Sequence, residues 1–316
     1  MGIIPCQNLN TVNMSKANFH IFTYMFRPVN ESPSDLFADE FKTVDVKDSI
    51  NRKQEILANI LDDFASQSSG ENTQHFTYGN DDFYHKVYIQ RGGIYVMRIA
   101  NNKQTKMERN FDVTYEEDNP SCVVIIDNRN DRQIIAIESN KAFNNVGKVA
   151  AIIQTTWRLC LIKHRLTVDI GAKYHVAEFW NINKVYAESQ GIDYVVFPFA
   201  YPNLPAVSDL MGNLMKEVAK NTNSEPTLKL KGQNNESVRL SENDLMIVNA
   251  IKACAASGRP ILIKPRNMTV KKVGMKNPVI ESLPKSLLEE LGDKKKIERR
   301  YMNIVKFLNN IKLWYD

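Results

Sequence analysis

Cysteine is scarce in this chain: four of 316 residues, at positions 6, 122, 160 and 254. They lie too far apart for a C-x-x-C metal or redox motif and are too few to staple a chain of this length. The five histidines show no metal-like spacing, and His20 and His175, beside aromatic or apolar neighbours, read as structural. Long apolar runs are missing as well. Val123–Ile126 and Ile261–Ile263 are strand-length, far short of the roughly 18–20 residues a bilayer requires. Residues 1–14 lack the basic start and apolar stretch of a secretion signal, and Met14 offers a second initiator. The expected setting is the cytoplasm. No Walker-type loop, no G-x-G-x-x-G and no G-x-S-x-G elbow occurs, so catalysis is not the first reading, and neither a cofactor nor a metal is expected.

What the chain does have is 43% hydrophobic and 24% charged residues, enough for a sizeable core and, at roughly 150 residues per domain, for two domains. The aromatic, β-branched run Asn18–Phe26 predicts an opening strand. Apolar residues at Ile56, Ile60, Leu61 and Phe64 predict a helix from a cap at Asp48. Phe83–Ile89 and Ile94–Ile99 flank Gly92-Gly93 and predict a hairpin, and Cys122–Ile126 with Gln133–Glu138 predict a second one. Val146–His164 predicts a long amphipathic helix over this sheet, Thr167–Ile170 a strand, and the residues after it a loop. Further on, the patterns predict a strand at Tyr194–Phe199, helices at Val207–Ala219 and Ser241–Ser257, and strands at Thr227–Lys231 and Ile261–Ile263. A basic loop, a short helix near Leu287 and a last helix from Asp293 to Trp314 complete the chain. The order implies α+β: an antiparallel, hairpin-rich sheet covered by a long helix, then a smaller α/β part and a C-terminal helix. The division falls at 1–185 and 186–316, with the Pro-rich run 198–205 marking a switch of layers.

Charge divides unevenly. Ile251–Asp316 holds 15 Lys and Arg against 6 Asp and Glu, whereas the preceding 250 residues hold 26 against 30. Clustered Lys and Arg release condensed counterions on meeting phosphate, so a basic tail on an acidic body predicts nucleic-acid binding. The strongest cluster is Lys264 and Arg266, expected on one strand face, with Lys271, Lys272 and Lys276 in an adaptable loop beside them. Lys294, Lys295, Arg299 and Arg300 follow on the last helix, where they also read as its solvated face. No base-reading helix accompanies them, so non-specific or shape-driven binding of double-stranded DNA is expected.

Two constellations offer catalytic alternatives. Asp127, Glu138 and Lys141 resemble the acids and lysine of a restriction-type metal nuclease, but two residues separate Glu138 from Lys141 where one would set both on a strand face. Arg158 and His164, with five residues between them, match the R-x(4–6)-H pattern of HEPN-type ribonucleases, although a regular helix turns the two apart. A non-catalytic protein-interaction subunit is the remaining class.

The strand pair ending at Ile137-Glu138, then Phe143 and a long helix to Leu161, resembles the RexA-like phage-exclusion proteins and the Kiwa-system B proteins. The succession continues through Thr167–Ile170, Tyr194-Val-Val-Phe-Pro, a helix through Met215 and Leu228-Lys-Leu230. The likeness lies in the order and length of elements over about two thirds of the chain, and no functional residue carries across. It implies an α+β cytoplasmic homodimer with a mobile second part. That dimer would bind DNA and act with a small membrane protein in abortive-infection-type phage resistance, as a sensor.

Overall fold

The structure is a computed structural model that describes residues 15–30, 43–66, 76–101, 103–109, 111–234, 236–274, 276–289 and 291–316. Residues 1–14, 31–42 and 67–75 fall outside these residues. The first half of the chain runs β1 (Lys16–Pro28), α1 (Val46–Asn51), α2 (Lys53–Ser66), β2 (Phe76–Tyr78), β3 (Asp81–Phe83), β4 (His85–Arg91), β5 (Ile94–Ala100), β6 (Lys103–Arg109), β7 (Asp112–Asp118), β8 (Ser121–Asp127), β9 (Ile134–Glu138) and α3 (Val146–Leu161). The second half runs β10 (Leu166–Ala172), α4 (Val176–Glu188), β11 (Ile192–Pro198), α5 (Pro205–Ser208), α6 (Asn213–Thr222), β12 (Thr227–Lys231), α7 (Leu245–Ser257), β13 (Ile261–Pro265), β14 (Lys271–Val273), β15 (Ile280–Pro284), α8 (Ser286–Glu289) and α9 (Ile297–Asn310). The fold is α+β, and every ladder among these strands is antiparallel.

The main sheet runs β10-β1-β9-β8-β5-β4, with β15 also on β1. Two-sided burial explains why its strands read as continuous apolar runs. Along β1, Phe22, Tyr24 and Phe26 face a core closed by α2 and α3, whereas Ala17, Phe19 and Ile21 face a core closed by α9. β8 alternates in the same way, with Val124 and Ile126 on the first side and Val123 and Ile125 on the second. The helix α3 buries Val149, Ile152, Ile153, Trp157 and Leu161 at the predicted spacing. Trp157 meets Tyr24 edge to face with ring centroids 5.3 Å apart, and truncating so buried an indole costs about 3–5 kcal/mol.

β1 pairs with β9 along Phe19–Thr23 on one edge. Its other edge is shared end to end: Lys16–His20 pairs with β15 and Phe22–Pro28 with β10. At the junction the Ile21 amide donates to the Val279 carbonyl at 3.0 Å, and Ile21 accepts from the Lys173 amide at 2.9 Å. β15 thus joins the first sheet and α9 covers its second face, although both follow residue 186 in the sequence.

The second sheet, β12-β11-β13-β14, buries Val195, Phe197, Ile261, Ile263 and Val273 against α4 and α7. It abuts the first where β10 meets the end of α7. A Cβ on Gly258 (φ 67°) would lie 2.4 Å from the Gly171 carbonyl carbon, so the approach requires glycine on both sides.

Several sequence expectations need correction. The first helix breaks at Arg52, and its cap is Asp45, whose carboxylate accepts from the Lys47 amide at 2.8 Å. The helix expected from Ser241 begins at Leu245 instead, capped by Asp244, which accepts from the Met246 amide at 2.9 Å, and Gly258 closes it. The helix expected over Val207–Ala219 is interrupted at Gly212 (φ 80°). The expected loop after Ile170 contains α4, the hairpin β6–β7 was not anticipated, and the basic loop is ordered into β14 and β15.

Candidate nucleic-acid interface

The register of the second sheet gathers its lysines. Tyr194 stands opposite Lys231 on one side and Lys264 on the other, Val196 opposite Lys229 and Leu262, and Leu262 opposite Lys272. Directly opposed residues share a face, and so do residues two apart on one strand. Lys229, Lys231, Lys264 and Lys272 thus project around Tyr194 from the face turned away from Val195 and Ile263. Lys229, Lys231 and Lys272 are exposed, and Tyr194 and Lys264 half-buried. The Lys229 ammonium sits 4.3 Å from the Tyr194 ring centroid, and Lys264 donates to the Met268 carbonyl of its own turn. The four strands contribute one carboxylate, Asp193, at the register shift beside Tyr194. With strands about 4.8 Å apart and alternate residues about 7 Å apart, this face is a grid of cations on the scale of backbone phosphates.

Half of this grid is legible in the sequence. Lys264 and Lys272 belong to it. Lys229 and Lys231, more than thirty positions earlier, were missed; the alternation Thr-Leu-Lys-Leu-Lys was visible but gave no partner strand. Arg266 does not share a strand face with Lys264. The strand ends at Pro265, and Arg266 opens a turn whose next residue, Asn267, has φ 56°; its amide donates to the Gly191 carbonyl at 3.0 Å and its Nε lies 3.9 Å from Asp193. The pleat turns Lys271 opposite Ile263, away from Lys272, and Lys276 is exposed in the loop before β15.

The second basic run lies elsewhere, on the element that covers the main sheet. Lys294 and Lys295 form a single 3-10 turn capped by Asp293, which accepts from the Lys295 amide at 2.9 Å. Arg299 is exposed on a groove of about 350 Å³ that Phe307 and Leu283 also line. Arg300 does not lie on the solvated face of the helix. Only 2% exposed, it shares the inner face of α9 with Ile304, Phe307 and Leu308 and donates to the Asp293 carbonyl at 3.2 Å, so it cannot meet a phosphate.

Asp127, Glu138 and Arg158, from the catalytic alternatives, are held in structural contacts, and Lys141 is exposed after β9. Asp127 is fully buried; Arg129 donates to it at 2.7 and 2.8 Å and Arg132 at 3.1 Å. These arginines continue to Asn309 and to the Leu308 carbonyl, tying the β8–β9 turn to α9. Asp127 pairs with Ile134 at one end of the hairpin, while Glu138 closes the other end, accepting from the Val123 amide at 2.9 Å and from Asn140 at 3.0 Å. Four strand positions, about 13 Å, separate the two acids. Arg158 donates to the Val168 carbonyl at 2.8 Å and pairs with Asp169, which also binds Arg259 at 2.9 Å. His164 lies in the turn after α3, and burial, with Lys163 and Arg52 nearby, lowers its pKa. Among the described residues no group of three or more His, Cys, Asp or Glu could hold a metal, and no helix is long and apolar enough to cross a membrane. Cys122, Cys160 and Cys254 are thiols outside any disulfide, and burial pushes the Cys122 thiol up to about 12.

One titratable group had no sequence signal. Lys173 is buried at the junction of β10 and β15, its ammonium donating to the Leu313 carbonyl at 2.7 Å. Burial, reinforced by Arg132, pulls it down to about 7.

No protein-family model, curated protein or solved structure matches the chain.

Proposed function

We propose that this protein binds nucleic acid, duplex DNA first, through the outer face of its second sheet, and that it serves as a sensor in phage defence. The observation that carries the binding reading is the gathering of Lys229, Lys231, Lys264 and Lys272 around Tyr194 on a face whose strands bring a single carboxylate. Ammoniums on the face of a sheet meet phosphates without reading bases, which fits non-specific or shape-driven recognition. The defence role rests on the resemblance of the order of elements in the sequence to the RexA-like and Kiwa-system B proteins. In that setting the protein is a cytoplasmic homodimer partnered by a small membrane protein.

Titration of labelled duplex at several salt concentrations tests the binding. If Z phosphates are neutralised, log K falls with log salt at a slope of about −0.9Z. Lys264→Glu with Lys272→Glu lowers affinity by about 100-fold and flattens that slope, since two contacts are lost and repulsion replaces them. Lys294→Glu with Lys295→Glu leaves affinity near that of the parent. No binding at low ionic strength, or equal losses in the two double variants, rejects the sheet face.

A further inference from the structure

Between α1, the start of α2, the β8–β9 turn and α6 the surface folds into a cleft of about 520 Å³, inside the roughly 300–1,000 Å³ common for small-molecule sites. Four lysines line it: Lys47 and Lys53 from the first part of the chain, Lys216 and Lys220 from the second. None comes from the strands of the basic sheet face. Two carboxylates oppose them, Asp131 in the wall and Asp209, which holds Lys216 at 2.7 Å. Ammoniums turned toward one concavity repel one another, and the low-dielectric walls focus the resulting potential on whatever enters. Burial already lowers the pKa of Lys53, with Asp131 opposing that shift.

The rest of the lining suits a ligand that is more than an anion. Ile50 and Tyr201 give an apolar wall, and the amides of Asn51 and Asn221 can donate and accept. Lysine binds phosphate as a point charge without needing bidentate geometry, so several ammoniums along one cleft match several phosphate groups. The concavity suits a single nucleotide better than the side of a duplex. We propose that this cleft is a second anion site, taking a small phosphorylated ligand of nucleotide size whose phosphates lie among Lys47, Lys53, Lys216 and Lys220.

Calorimetric titration of the full chain with ATP, ADP, AMP and inorganic phosphate tests this. ATP binds more tightly than AMP, because each added phosphate meets another ammonium. Lys47→Gln with Lys220→Gln alters two exposed positions and leaves the fold intact. That variant binds ATP at least about tenfold more weakly, while Lys47→Arg with Lys220→Arg keeps binding close to the parent. The Lys264→Glu, Lys272→Glu variant keeps its ATP affinity even as it loses duplex, so the two sites fail separately. Absence of binding for all four probes overturns the proposal. So does an unchanged ATP affinity in the Lys47→Gln, Lys220→Gln variant, or loss of ATP binding only when the sheet face is altered.

Discussion

The segments 264–276 and 294–300 are both rich in lysine and arginine, yet they use those charges differently. In the first, pleated strands turn Lys264 and Lys272 outward beside Lys229 and Lys231, with one nearby carboxylate. The second forms part of the element that closes the main core. Its Arg300 points inward, and α9 also receives Arg129 and Arg132 from the Asp127 turn. Basic composition is thus no measure of a binding surface. What counts is whether a cation is turned into the core, as Arg300 is, or carried on the face of a sheet that points away from it.

Substitutions on the inward side give the largest expected effects. Replacing Asp127 with alanine leaves Arg129 and Arg132 without their shared carboxylate and frees the β8–β9 turn from α9. The expected loss is about 3 kcal/mol, at the lower end for a broken buried pair because the arginines can still reach water. Urea unfolding measures it, and a midpoint equal to the parent's would mean that the charges of this region are as dispensable as surface ones.

Neighbouring arginines sharpen the contrast at a smaller scale. Arg300→Ala removes a buried guanidinium from the carbonyl of Asp293 and is expected to cost about 1–3 kcal/mol, whereas Arg299→Ala, at an exposed position, stays within about 0.5 kcal/mol. Thermal melts of the two variants compare them directly. Equal destabilisation would put both side chains on the same footing and remove the distinction drawn for α9.

A further contrast concerns a lysine used inside. Lys173 has its folded pKa lowered to about 7, below the usual value near 10.5, so folding disfavours its charged form. Below about pH 7 the native state carries a buried ammonium and the full cost of that burial. Between about 7 and 10.5 the native state is neutral while the unfolded chain remains protonated, so stability rises with pH, by at most about 1.4 kcal/mol per unit. Melting curves across this window should rise more steeply for the parent than for Lys173→Met. Parallel curves would show that Lys173 keeps its proton in the fold.

Local patterns made most of the first sheet legible. The spacing of Ile152, Ile153, Trp157 and Leu161 announced α3, and Gly92-Gly93 announced the β4–β5 turn. Where tertiary partners decide, the pattern was silent. α4 has His175 at its cap position with no side-chain cap bond, and its segment passed for loop. Arg299 and Arg300 are adjacent and chemically alike, and only the rotation of α9 against the sheet makes one exposed and the other buried. Lys229 and Lys231 escaped for the same reason: they join Lys264 through β11, and strand order is a long-range property that no single stretch encodes.

The two partners that share one edge of β1 carry a consequence for how the chain acquires its shape. β10 reaches that edge from the middle of the sequence, but Lys16–His20 must wait for Ile280–Pro284, and the outer face of Phe19 and Ile21 waits for α9. During synthesis the first strand emerges early and remains half-paired until almost the whole chain has been made. Loop closure over such a separation slows productive pairing, and an open, apolar strand edge invites association with other chains in the meantime. Holdase chaperones acting on nascent chains would find their natural target in residues 16–21.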